Sequence, residues 1–153
     1  MAVGTADVTR PSALLRVVLV VHGIITLAGA SVLTIFPTAI PLTVGISLQP
    51  DDYLIVYLVA AAELAAAVLS FGATRLTDRA AMGLVVLTLA VLHGASGLLN
   101  VLYMAQTGYS TVLVGNTCAR MVAVVVLVAA WRADGSGQRR RRRPPAAENS
   151  TLS

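Results

Sequence analysis

Four side chains that carry or can gain a charge lie inside long apolar stretches of this sequence: His22, Glu63, His93 and Arg120. An ionisable group at the centre of a bilayer costs about 2.5–3.5 kcal/mol on insertion scales, so such groups are usually paired or functional. A carboxylate can act as a general acid or base, an imidazole can exchange protons with it, and a guanidinium can hold polar groups. These residue types predict either a buried ion pair or proton-transfer chemistry.

Three of these groups are predicted to lie at one depth in the membrane. Glu63, His93 and Arg120 are each ten or eleven residues from a Tyr at the expected outer end of their stretch. At about 1.5 Å per residue that distance is roughly 15–16 Å. His22 is fourteen residues from Phe36, or roughly 21 Å by the same rise. It is therefore predicted to lie deeper toward the cytoplasm and to reach the other three side chains from that side.

Helical spacing extends the candidate site along two helix faces. His93, Asn100 and Tyr103 follow a helical repeat and share one face, and Asn116 and Arg120 share another, so both faces are expected to point inward. The predicted catalytic residues are Glu63 and His93, as proton partners. The predicted substrate-binding residues are Arg120, Asn116, Asn100, His22, Tyr57 and Tyr103.

The same residues argue against other kinds of site. Two His and one Glu on three separate stretches have no local metal-ligand spacing, and Arg120 would oppose a cation, so no metal site is expected. The sequence has no phosphate-binding loop or nucleophile motif, and no cofactor is predicted. Cys118 is the only cysteine and is expected to be a small packing residue.

The composition predicts what positions these side chains. In 153 residues, 57% are hydrophobic and only 12% are charged, which excludes an ordinary soluble domain. Four apolar stretches, at about 17–36, 53–71, 80–105 and 109–131, are long enough to cross a bilayer as helices. The predicted fold class is an all-α integral membrane protein, a four-transmembrane-helix bundle. The first stretch is too long for the core of a secretory signal, so it is expected to remain as a helix.

The distribution of Arg predicts the orientation. Arg residues precede the first stretch, separate the second from the third and follow the fourth, whereas the other two connections have none. The positive-inside rule therefore places both termini in the cytoplasm, in the cell membrane. The outer connection, residues 37–52, is apolar and rich in Pro, so it is predicted to rest on lipid, with a lid over the bundle as the alternative.

Three segments follow from this division: a cytoplasmic N-terminal segment at 1–11, the membrane domain at 12–132 and an Arg-rich cytoplasmic tail at 133–153, expected to be disordered. The tail contains a run of five Arg at 139–143. No aromatic or folded element accompanies this run, so we expect it to anchor the topology at the inner leaflet, with no nucleic-acid partner. The bilayer itself is an expected partner.

The layout resembles the DoxX-like superfamily of small four-helix bacterial membrane proteins. The resemblance covers roughly residues 12–132 and consists of Arg16 opening the first span, Gly23 and Gly29 within it, Pro37 after it, and Glu63 in the second span. It implies a four-helix membrane fold and an association with quinone-linked oxidation. Of the candidate site, only Glu63 is implied by the resemblance.

The leading interpretation is a membrane-embedded site for a small lipophilic molecule, which either only binds it or also catalyses proton transfer, as an isomerase, cyclase or epoxide-opening enzyme without a cofactor. One alternative is a non-catalytic accessory subunit, quinone-linked or otherwise, in which the polar cluster only fixes helix packing. Another is a small proton-coupled transporter with Glu63 as the coupling site, for which four spans would have to form a homodimer to enclose a path.

Overall fold

The computed structural model of the protein describes residues 11–141, and side chains through residue 136, as helices without strands. This confirms the all-α class. The elements, in chain order, are α1 (Ala13–Ile35), α2 (Ala39–Thr43), a 3₁₀ turn (Pro50–Asp52), α3 (Tyr53–Ala73), α4 (Arg79–Thr107) and α5 (Thr111–Arg141).

Four of the helices, α1, α3, α4 and α5, are long and apolar enough to cross a membrane. Their outward sides expose large apolar side chains, for example Ile25, Leu58, Leu84 and Val125, each more than half accessible. A soluble protein rarely exposes contiguous apolar surface on this scale. This confirms four helices able to cross a membrane, and they indicate a multi-pass membrane protein.

Local sequence signals fix the ends of α4. Asp78 caps its N-terminus, where the carboxylate accepts the backbone N–H groups of Ala80 and Ala81 at 3.0 and 3.3 Å. At the other end Gly108 has a φ of +99°, a conformation that glycine adopts without steric cost, and its N–H donates to Met104 O at 2.9 Å. Only three residues separate α4 from α5, so the two helices are antiparallel neighbours, as predicted.

The four long helices form a ring in the order α1, α3, α4, α5. Packing is most extensive between α1 and α3 and between α4 and α5, less so between α5 and α1, and loosest between α3 and α4. A buried apolar core fills the end of the bundle at which α1 and α4 begin. Its members are Leu15, Leu19, Ala66, Ala73, Met82, Val86, Leu89, Leu127 and Ala130.

At the same end, α5 continues well beyond the expected boundary. The sequence predicted disorder from residue 133, but the helix extends to Arg141, so the prediction is wrong for 133–141. The Asp134 carboxylate accepts the backbone N–H of Ser12 at 2.6 Å and lies 3.8 Å from Arg79 Nη1. These contacts hold the extension against the beginnings of α1 and α4. The remaining part of the predicted tail, 142–153, and the segment at 1–10 lie outside the described residues.

The outer connection is more regular than its Pro content predicted. Pro41 lies in the first turn of α2, where the missing N–H has no helical acceptor to lose. At the entry to α3, the N–H of Gln49 donates to Asp52 Oδ2 at 2.9 Å and closes a short capping turn. No residue of α2 is buried, and its placement on lipid or as a lid stays a prediction.

Candidate functional site

The carboxylate, guanidinium and imidazole predicted to lie at one depth are in direct contact. Arg120 Nη2 donates to Glu63 Oε1 at 3.3 Å, and Arg120 Nη1 donates to His93 Nδ1 at 3.3 Å. The side chains of Arg120 and Glu63 are only 19% and 15% exposed, so the ion pair is largely buried inside the bundle. The predicted convergence of these three residues is confirmed.

His22 joins the group from α1. Its Nε2 lies 2.6 Å from His93 Nε2, and the two rings meet edge to face, with centroids 4.9 Å apart and planes at 76°. The other nitrogen, His22 Nδ1, lies 2.8 Å from Ser70 Oγ on α3, and that hydroxyl donates to Ala66 O at 2.7 Å. Both histidines and Ser70 are buried.

The direction of every hydrogen bond in this chain follows from Arg120. A guanidinium only donates, so His93 Nδ1 accepts and the proton of this ring is on Nε2. His93 Nε2–H then donates to His22 Nε2, which leaves the proton of His22 on Nδ1 and directed to Ser70 Oγ. Each imidazole is therefore neutral, and the two hold opposite tautomers. We call the five residues Glu63, Arg120, His93, His22 and Ser70 the interior cluster.

Arg120 lies between the two residues predicted as proton partners. It donates to both Glu63 and His93, so the described hydrogen bonds connect the carboxylate to the imidazole through the guanidinium. Arginine does not lose its proton in proteins. The described hydrogen bonds therefore include no direct contact between His93 and Glu63, and the role of these two residues as proton partners stays a prediction.

The interior cluster ties together helices that are not neighbours in the ring. His22 and His93 connect α1 with α4 across one diagonal of the bundle, and Glu63 and Arg120 connect α3 with α5 across the other. Gly97 lets the side chain of Met121 pack closely between the neighbouring helices α4 and α5, since a Cβ there would lie 2.6 Å from Met121 Cε. All four spans contribute to one polar centre.

Three polar atoms near the centre are buried and have no hydrogen-bond partner among the described residues: Arg120 Nε, Asn100 Nδ2 and Thr117 Oγ1. They belong to α4 and α5, the pair of helices that carries His93 and Arg120. Leaving a buried donor unsatisfied costs about 1–3 kcal/mol. Such an arrangement is typical of a place that a water or a ligand group completes.

The remaining predicted site residues lie elsewhere. Asn116 is exposed, so its expected inward orientation is wrong. The interior face of α5 is narrow, and Asn116, four residues before Arg120, lies outside that face. Cys118 is also exposed and is not a buried packing residue. Tyr103 is 39% exposed and Tyr57 44%, and neither contacts the interior cluster through a described hydrogen bond.

Tyr57 instead lines an open groove of about 430 Å³ between α1 and α3. Its walls are mostly apolar, and besides Tyr57 they include the aliphatic hydroxyls of Ser31 and Thr34. Both hydroxyls donate to carbonyls of their own helix, at 2.8 Å each. Glu63 is not among the lining residues, so the groove is a lipid-facing surface feature separate from the interior cluster.

Sequence reasoning missed Ser70 and Thr117. Ser70 follows Glu63 by seven residues, two helical turns, so the helical spacing used for α4 and α5 would have placed it on the same face of α3. Thr117 precedes Arg120 by three residues on α5. Serine and threonine in apolar helices often bond only to their own backbone, which makes them weak signals.

The described residues contain no group of three or more His, Cys, Asp and Glu side chains suited to a shared metal ion. Comparisons with protein-family models, curated proteins and solved structures find no match to this chain.

Proposed function

We propose that the interior cluster forms a membrane-embedded site where a small lipophilic molecule binds and undergoes cofactor-independent proton transfer. The observation that carries this proposal is the largely buried ion pair of Glu63 with Arg120, together with buried polar atoms that have no partner among the described residues: Arg120 Nε itself, and Thr117 Oγ1 and Asn100 Nδ2 further along α5 and α4. A carboxylate can move a proton, and buried polar atoms without partners can hold the reacting molecule. Both lie within a bundle whose outer surface is open to lipid.

Glu63 is the base in this proposal. In its ion pair with Arg120 the side chain of Glu63 is a carboxylate, and a carboxylate can accept a proton. The ion pair engages Oε1 of Glu63, and the second carboxylate oxygen lies outside it. That oxygen takes the proton from carbon or from water, as isomerisation, cyclisation or epoxide opening requires.

Arg120 and the histidines have different tasks. Arg120 stabilises negative charge that develops on the reacting molecule, as preorganised donors do in other acid-base sites. His93 and His22 position Arg120 through the neutral chain that ends at Ser70. His93 is thus a positioning residue in the proposal, although the sequence predicted it to be catalytic.

Two structural features favour this function over the alternatives. The permanently protonated Arg120 interrupts the hydrogen-bond chain, which disfavours proton-coupled transport through the interior cluster. A purely structural cluster in an accessory subunit would gain from satisfying its polar atoms, yet Arg120 Nε in the interior cluster has no partner among the described residues, and neither do Asn100 Nδ2 and Thr117 Oγ1 on α4 and α5. The packing of α3 against α4 is the loosest in the ring, and in this proposal the ligand enters the bundle between these two helices.

We infer that both termini are cytoplasmic and that the membrane is the cell membrane. The contacts of Asp134 with Ser12 and Arg79 bring the beginnings of α1 and α4 and the extension of α5 to one end of the bundle. Arg16, Arg75 and Arg79 are near that end. Such a concentration of Arg favours the cytoplasmic side.

The proposal is tested by comparing lipid extracts of cells that produce the wild type or Glu63→Gln at equal membrane levels. We expect one lipophilic compound to accumulate in Glu63→Gln while a second declines, with the two equal in mass or different by one water. Thr88→Val is the control, because Thr88 is exposed on α4 and donates only to Leu84 O. Identical extracts from all three strains would contradict a catalytic role for Glu63.

A further inference from the structure

Four buried side-chain atoms have no hydrogen-bond partner among the described residues. Trp131 Nε1 lies near Gly83, at the end of the bundle where α4 begins, and the other three follow the seam between α4 and α5. His93 meets Arg120 across this seam, and one turn further along α4 a Cβ at Gly97 would lie 3.9 Å from Thr117 Cγ2. Asn100 is three residues beyond Gly97, again about one turn. The seam therefore contains three atoms in order, from the interior cluster toward the end of α4: Arg120 Nε, Thr117 Oγ1 and Asn100 Nδ2.

Two of these atoms can only donate hydrogen bonds. The Nε of a guanidinium and the amide nitrogen of Asn100 are donors, and the hydroxyl of Thr117 can donate as well. A partner that satisfies all three must accept. Oxygen with free lone pairs, as in a carbonyl group, has this property, whereas a hydrocarbon has none and would leave the three atoms unsatisfied.

The charge of the interior cluster limits the partner further. Glu63 and Arg120 cancel each other, and the tautomer chain makes both His93 and His22 neutral. An anion bound here would bring an uncompensated charge into a low-dielectric interior, at a cost of several kcal/mol. A neutral acceptor satisfies the donors without that cost.

We propose that the α4–α5 seam binds the neutral, carbonyl-bearing end of the lipophilic ligand, with hydrogen-bond donors from Arg120, Thr117 and Asn100. This assignment rests on the proposed function and narrows its ligand class to neutral, oxygen-bearing lipophiles. The oxygen lies beside Glu63, so the carbon next to the carbonyl is the position whose proton the carboxylate can remove. Negative charge then develops on the oxygen, where the seam donors stabilise it.

The experiment uses the full-length protein in lipid nanodiscs and three probes with a twelve-carbon chain: 2-dodecanone, dodecane and dodecanoate. Affinity is measured from the rise in unfolding temperature with probe concentration, compared at equal mole fraction in the lipid. We expect saturable stabilisation by 2-dodecanone and weaker stabilisation by dodecane and dodecanoate. With a ¹³C label on the carbonyl, its infrared band should move to lower frequency than in empty nanodiscs.

Thr117→Val and Asn100→Leu each remove one seam donor. A single hydrogen bond contributes about 0.5–1.5 kcal/mol, so each variant should weaken 2-dodecanone binding roughly 2- to 13-fold and reduce the infrared shift. Dodecane binding should not change. Thr88→Val is the matched control on the exposed side of α4, and it should bind all probes as the wild type does.

Equal binding of dodecane and 2-dodecanone, or unchanged ketone affinity in both seam variants, would overturn the seam assignment while leaving a lipophilic site in place. Preferential binding of dodecanoate would overturn the neutral ligand class. If no probe stabilises the protein saturably, the seam assignment also fails. The lipid-extract comparison with Glu63→Gln then decides separately whether the proposed function stands.

Discussion

Arg120 links a charged pair to a neutral pair through one side chain. Two of its nitrogens donate to different partners, Glu63 and His93, while the third, Nε, is buried without one. Arginine suits this position because its planar fork presents several donors in fixed directions. A lysine in its place would offer a single point charge and could not bridge the carboxylate and the imidazole in the same geometry.

The ion pair should be strongly coupled in stability. Glu63→Gln and Arg120→Gln should each lower the free energy of unfolding by about 3–5 kcal/mol, because each leaves one buried charge without its partner. Arg120→Gln should cost more, since it also removes the hydrogen bond to His93. The double variant should lose less than the sum of the singles, by about 0.5–3 kcal/mol.

Thermal unfolding of the four proteins in one detergent measures this coupling. Arg132→Gln is a suitable control, because Arg132 is an exposed Arg on the same helix. Losses that simply add in the double variant would mean that Glu63 and Arg120 are not energetically paired.

The two histidines should hold opposite tautomers. ¹⁵N nuclear magnetic resonance of labelled imidazoles separates protonated from bare ring nitrogens. We expect a bare Nδ1 on His93 and a bare Nε2 on His22, because the donors of Arg120 fix the direction of the chain. Ser70→Ala should perturb mainly His22 Nδ1. A doubly protonated ring on either residue would contradict the assigned chain.

At the scale of helices, the close approach of α1 to α3 depends on one glycine. A methyl group on Gly23 would lie 2.8 Å from Cε1 of Phe71, too close without movement of the aromatic ring. Gly23→Ala should therefore lower the free energy of unfolding by about 1–3 kcal/mol. Gly29 lies on the same helix, and a methyl group there would meet nothing within 4 Å.

Gly29→Ala is thus the matched control and should be neutral or stabilise by up to about 1 kcal/mol, through its higher helix propensity. The measurement is the midpoint of thermal unfolding for both variants in the same detergent. If the two substitutions have equal effects, steric contact with Phe71 does not limit the packing of α1 on α3.

The sequence predicted the spans well because hydropathy and helix length are local properties. The predicted first residue of α3, Tyr53, is the observed one, and α4 begins one residue before its predicted position. The common depth of Glu63, His93 and Arg120 followed from a fixed rise per residue. The interior cluster was predictable to this extent, since three residues on three helices only had to be counted from the outer ends.

The sequence could not predict how each helix is rotated about its own axis, or which side chains become hydrogen-bond partners. Four residues of an ideal helix turn through about 400°, so the side chains of Asn116 and Arg120 point about 40° apart around the helix axis. On a helix with a narrow buried face, this difference is enough to expose Asn116. Nothing in the spacing indicated that Arg120 would lie between Glu63 and His93. The extension of α5 depends on contacts of Asp134 with residues more than 50 positions away, which local composition does not record.

For the whole molecule, the orientation in the membrane is directly testable. A reporter that is active only outside the cytoplasm should give signal when fused after Gln49 and none when fused after Thr77. The reason is that Arg75 and Arg79 flank the second position, while the outer connection has no Arg. A reporter active only inside should give the opposite pattern. Signals reversed for both fusions would contradict the proposed orientation.

The position of Arg120 in the last span also has a consequence for biogenesis. Glu63 precedes Arg120 by 57 residues, so during synthesis the carboxylate enters the membrane while its partner has yet to be made. At a synthesis rate of roughly 5–20 residues per second, the nascent chain spends several seconds with this charge uncompensated. Arrival of α5 ends that interval, and a chain truncated before it keeps an unpaired acid in the bilayer that membrane quality control can recognise.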